Sequence, residues 1–69
     1  MKISARNMLR GTVKTITFGA VNTEVVIELP GGEVIVSVFT RPSAEALALA
    51  VGAEVYAVIK ASNVMVMVD

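Results

Sequence analysis

The chain contains no cysteine, no histidine and no tryptophan. Without cysteine there is neither a disulfide to staple a small fold nor a thiolate to hold a metal. Without histidine there is no imidazole ligand and no side chain that ordinarily titrates near neutral pH. An excess of charge is missing too, because six basic and six acidic residues cancel. A general nucleic-acid binder carries a basic patch large enough to register in that total, so nucleic acid is not expected as a partner. No apolar run approaches the roughly 20 residues of a membrane span. Met1-Lys2 leads into polar residues rather than into the apolar core of a signal peptide, so the expectation is a cytoplasmic protein with no membrane partner.

What is abundant is apolar surface. Hydrophobic residues make up 55% of 69 residues, in a chain near the lower limit at which one core offsets conformational entropy. The whole chain, 1-69, is expected to form one domain. A domain this small buries only about 60% of the surface that its unfolded chain exposes. Apolar surface is therefore left over, and a homo-oligomer that covers it is expected.

The β-branched content of Leu9–Phe18 predicts a strand, followed by a turn at Gly19-Ala20. Val21–Leu29 alternates, with Val25, Ile27 and Leu29 on one face. Pro30-Gly31-Gly32 reads as a hairpin turn. Glu33–Thr40 is apolar on both parities, which predicts a strand facing the core on one side and a neighbouring subunit on the other. Ser43 is expected to cap a short helix over Ser43–Leu49, held by packing of Leu47 and Leu49. Glu54–Lys60 and Asn63–Val68 are expected as two further strands. The fold class expected is all-β, a small five-stranded OB-like Greek-key barrel with one short helix, and an SH3-like barrel is the nearest competitor.

Enzymatic chemistry is not expected. The carboxylates Glu24, Glu28, Glu33, Glu45, Glu54 and Asp69 fall at strand ends or alternating exposed positions rather than as a convergent pair. Clustered oxygen ligands for a hard cation are not visible, and Pro30-Gly31-Gly32 lacks the Lys-Ser/Thr of a phosphate loop. Phe18, Phe39 and Tyr56 take strand positions that suggest core, and Met65 and Met67 read as core or interface filler. Two polar clusters remain, Ser4-Ala5-Arg6-Asn7 and Lys60-Ala61-Ser62-Asn63. They combine cations, hydroxyls and amides with small spacers and no carboxylate, an inventory suited to holding an oxyanion. They also admit a plainer reading, a solvated N-terminus and an ordinary connection between strands.

Ser4-Ala5-Arg6-Asn7, then Gly19-Ala20-Val21-Asn22, then the run from Tyr56 through Lys60-Ala61-Ser62, resemble at these spacings the Mop domain of the molbindins, a TOBE-like family. The resemblance covers essentially the whole chain in order. It implies a hexamer, a trimer of dimers, that binds molybdate or tungstate between subunits and stores or buffers it. It further implies that Ser4, Ala5, Arg6 and Asn7 at one edge, and Lys60, Ala61 and Ser62 at another, line sites shared by neighbouring chains, with Ser43 and Asn22 as additional contacts. Held by hydrogen bonds, the oxyanion needs no direct metal ligand. The alternatives are an OB-type module for nucleic acid or a protein partner, and a molybdopterin carrier.

Overall fold

A computed structural model describes residues 4–69. Lys2, adjacent to the opening polar cluster, lies outside the described residues. Four antiparallel strands form one curled sheet in the order β3-β2-β1-β4, where β1 is Asn7–Phe18, β2 Asn22–Glu28, β3 Val34–Thr40 and β4 Glu54–Ile59. The long β1 makes the curl. Its first half, Asn7–Thr12, pairs with β4, and its second half, Thr12–Phe18, pairs with β2.

A bulge at Lys14 lies where the two halves meet, since the register with β2 shifts between Val13 and Thr15. An extra residue flips the side-chain parity beyond it. Val13 therefore points inward before the bulge and Ile16, rather than Thr15, after it. This accounts for the broken alternation of Leu9–Phe18 in the sequence. The core is Val13, Val25, Ile27 and Ala57, with Ile16, Leu29, Ile35, Phe39, Leu49, Ala53 and Val55 packed against it. Gly11 sits where β1 passes closest to β2. A Cβ there would lie 2.6 Å from Ile27 Cγ2 and 2.8 Å from the Glu28 carbonyl oxygen.

The two turns form as expected. The Gly19 N–H donates to Asn22 O at 2.7 Å, and the β2–β3 hairpin closes through Leu29 N–H to Glu33 O and Gly32 N–H to Leu29 O. Gly32 takes φ +95°, which a side chain rarely adopts.

The helix α1 is Arg41–Ala46, not Ser43–Leu49, and its N-cap is Thr40 rather than Ser43. Pro42 explains the shift. A proline lacks only an N–H that the first helical turn leaves unbonded anyway, so Pro42 is admitted into that turn and the cap moves ahead of it. Ala44 is the buried residue of α1, whereas Leu47, expected to pack on the sheet, is 65% exposed. Phe18 and Tyr56, expected in the core, are likewise exposed, and of the three aromatics only Phe39 packs inward.

The expected fifth strand is the largest departure. Ala61–Asn63 forms a 3₁₀ turn, and Val64 to Asp69 then run on with no strand pairing. Met65, Val66, Met67 and Val68 are each at least 85% exposed. A strand exists only with a partner for its ladder, and β1–β4 leave this segment none within its own chain. The curl also stops short of closure. Between the free edges of β3 and β4 lies an apolar cleft of about 640 Å³, lined by Ile35, Phe39, Leu49, Val55, Ala57 and Ile59 among others. Among the described residues, no helix is long and apolar enough to cross a membrane.

Candidate functional site

Strands β1 and β4 begin and end together, with Asn7 directly opposite Ile59. The backbone before Asn7 and the backbone after Ile59 therefore leave the sheet side by side at the same end. This brings Ser4-Ala5-Arg6 next to Lys60-Ala61-Ser62 within one chain. Ser4, Arg6, Lys60, Ala61 and Ser62 are exposed, while Ala5 and Asn7 are partly covered. The 3₁₀ turn fixes the second cluster, with Asn63 N–H donating to Lys60 O at 2.9 Å and Val64 N–H to Ala61 O at 3.2 Å.

The charge pattern singles out this end of the molecule. Arg10 bonds Glu54 at 2.6 Å, Lys14 lies 3.7 Å from Glu28, and Arg41 bonds Glu45 at 3.2 Å. The hydrogen bond and charge of Glu54 raise the Arg10 pKa above its ordinary value. Among the described residues, Arg6 and Lys60 are the cations without an ion pair. Arg6 immediately precedes Asn7 and Lys60 immediately follows Ile59, so the β1–β4 register has both leave the sheet at the same end, with Ser4 and Ser62 two residues further along each backbone. Two uncompensated cations with small hydroxyl neighbours can accept a dianion through charge-assisted hydrogen bonds. Among the described residues, no three acidic side chains gather into a cation site.

Asn22 and Ser43 lie elsewhere. Asn22 is opposite Thr40 where β2 begins and β3 ends. Thr40 Oγ1 donates to Ser43 Oγ at 2.8 Å and accepts the Ser43 N–H at 3.4 Å. Arg41 places its guanidinium 5.4 Å from the centre of the Phe18 ring, and its backbone N–H donates to Val21 O at 3.0 Å. From Asn7 to Phe18 is roughly 36 Å along β1, at about 3.3 Å per step. Asn22 and Ser43 thus belong to the opposite end of β1 from Arg6 and Lys60. Thr40 is the polar residue of this second group that sequence reasoning passed over. Its signal was the spacing Thr40-Arg41-Pro42-Ser43, in which the proline sets the cap two residues earlier.

Residues 3–66 match the family model of the TOBE domain. A probable molybdenum-pterin-binding protein of Haemophilus influenzae is 49% identical over 69 residues, covering all of both chains. The solved structure of a molybdate-binding protein from Sporomusa ovata superimposes with a TM-score of 0.92 at 39% identity, over 97% of this chain and 98% of that one. The cytoplasmic molybdate-binding protein ModG, solved with molybdate bound, gives a TM-score of 0.90 at 54% identity. There the match covers 94% of this chain and 46% of that one. These relatives are binding proteins rather than enzymes.

Proposed function

From the premise that the chain belongs to the TOBE-domain family, with an OB-like fold shared with molybdate-binding proteins, we propose that it binds the molybdate or tungstate oxyanion and stores it in the cytoplasm. The observation that supports this reading is the β1–β4 register, which sets Asn7 opposite Ile59 and so has the backbone at Arg6 and at Lys60 leave the sheet at one end, neither residue ion-paired among the described residues. Molybdate is a tetrahedral dianion whose four oxo groups leave no open coordination position. The protein therefore supplies donors and not metal ligands. Arg6 and Lys60 offset charge, while Ser4, Ser62 and the amides around Ala5 and Ala61 donate to the oxo groups. Every residue of this group except Ala5 and Asn7 is exposed in one chain, and a dianion is held firmly only where water is excluded. A second copy covering this end completes the enclosure. Asn22 and Ser43, remote from it in one chain, are available to a neighbour.

Homo-oligomerisation follows from two further features. Val64–Val68 is an apolar segment without strand pairing, and the cleft between β3 and β4 is a sheet gap without a strand. Six extended residues span about 20 Å, the length of the β4 edge. Reciprocal exchange of this segment between two copies closes both barrels and removes their open edges. On the outer face of β3, Val34, Val36 and Val38 are 48%, 57% and 60% exposed and form a stripe for contact with further copies. A hexamer built as a trimer of dimers uses both surfaces.

Titration calorimetry tests the binding claim. Molybdate is expected to bind saturably and sulfate weakly. Arg6→Ala and Lys60→Ala each remove a charged hydrogen bond worth about 1.5–3 kcal/mol, which weakens binding roughly 10- to 100-fold. Equal heats for sulfate and molybdate refute the reading. A second reading, a pterin-bearing molybdenum compound as ligand, is favoured by one observation: the exposed Phe18 ring beside Arg41 offers a flat apolar surface. Saturable binding of molybdate alone decides against it.

A further inference from the structure

The candidate oxyanion site and the hinge of the unpaired C-terminal segment are made of the same residues. Lys60 and Ser62 flank the site, and the 3₁₀ turn Ala61–Asn63 directly precedes Val64, where the apolar segment departs. The turn is held by two backbone bonds, Asn63 N–H to Lys60 O and Val64 N–H to Ala61 O, and the Lys60 side chain does not cap it. All three turn residues are exposed. Among the described residues the core includes none of Lys60–Val68, so a ligand gripping Lys60 and Ser62 would restrain the direction in which the segment leaves.

We propose that the bound oxyanion is a clamp on this hinge, controlling how fast copies of the chain exchange their C-terminal segments. The inference rests on the oxyanion-binding and segment-exchange reading above and adds a regulation to it. Before two copies separate, the segment must leave the partner's cleft and the turn from which it springs must reorient. Reorientation takes Lys60 and Ser62 away from Arg6, which stays anchored beside Asn7 at the start of β1. The exchange-competent state has thus lost the site. A ligand that binds only the closed state lowers the population of the open state by the factor 1 + [L]/Kd, about 100-fold at a ligand concentration of 100 Kd. The cargo therefore sets the lifetime of its own container: empty assemblies trade subunits readily, and loaded ones do not.

The test uses the full chain. Equal amounts of ¹⁵N-labelled and unlabelled protein are mixed, and mixed-mass assemblies are followed by native mass spectrometry with no anion, with molybdate and with sulfate. Calorimetry on the same samples reports site occupancy. The expected result is exchange slowed about 100-fold at 100 Kd of molybdate, with the midpoint of slowing at the calorimetric Kd and little slowing by sulfate. Exchange that is unchanged or accelerated while calorimetry shows the sites full overturns the clamp and leaves molybdate binding standing. An absence of molybdate heat overturns both, and a chain that is monomeric with and without molybdate overturns the clamp.

Discussion

Removing Val64–Asp69 tests the assembly argument at its strongest point. In the single chain the apolar residues of this segment, Val64 through Val68, are between 50% and 93% exposed. On the exchange reading one parity of the segment, Val64, Val66 and Val68, faces the cleft, so three side chains move from water into apolar surroundings. Full burial of such a side chain contributes about 1.5–3 kcal/mol, so three contribute roughly 4.5–9 kcal/mol. Exchange between two copies is reciprocal and doubles this to roughly 9–18 kcal/mol, set against an association cost of about 4–15 kcal/mol. Loss of even the lower figure raises the dissociation constant by about six powers of ten. A chain ending at Asn63 is therefore expected to sediment as a monomer at about 10 µM, where the full chain is expected to assemble. The truncation leaves Val13, Val25, Ile27 and Ala57 in place, so circular dichroism should still report strand. A truncated chain that sediments with the same assembly mass as the full chain refutes the exchange.

Other substitutions probe the fold and the charge pattern. Gly11→Ala drives a Cβ against Ile27 and the Glu28 carbonyl, costing about 1–3 kcal/mol; differential scanning calorimetry should show a fall in Tm of roughly 5–20 °C, and an unchanged Tm contradicts the close approach of β1 and β2. Thr23 is fully buried and its hydroxyl has no hydrogen-bond partner among the described residues. Thr23→Val is therefore expected to raise Tm, because an unsatisfied buried hydroxyl costs about 1–3 kcal/mol; a lower Tm means the hydroxyl is bonded in the assembled protein. Arg10→Ala separates committed from free cations. Arg10 is tied to Glu54, so calorimetry should find its loss far less damaging to molybdate binding than loss of Arg6, and equal damage contradicts the assignment.

Much of the fold was legible because its signals are local. Pro30-Gly31-Gly32 marks a turn whatever surrounds it, and the β-branched runs on either side read as strands. The features that sequence left hidden depend on pairing. Nothing near Asn7 or Ile59 says that the two lie opposite each other, yet that register has the backbones at Arg6 and Lys60 leave the sheet at the same end. The Lys14 bulge is a compromise between two neighbours of β1, visible in sequence only as an alternation that breaks. The α1 boundary was misplaced because alanine and leucine propensity outweighed Pro42, while the structure starts the helix ahead of it. The apolar run from Val64 to Val68 suggests a strand, which the single chain does not form because β1–β4 offer it no ladder partner.

The central claim is that Arg6 and Lys60, brought together by the β1–β4 register, hold the oxyanion. Crystals grown from the full-length protein and soaked in molybdate measure this directly through the anomalous scattering of molybdenum. The expected map has a strong peak within hydrogen-bonding distance of Arg6, Lys60 and Ser62, at a boundary between copies of the chain. Strong peaks confined to other surfaces, with Arg6 and Lys60 touching only water, contradict it.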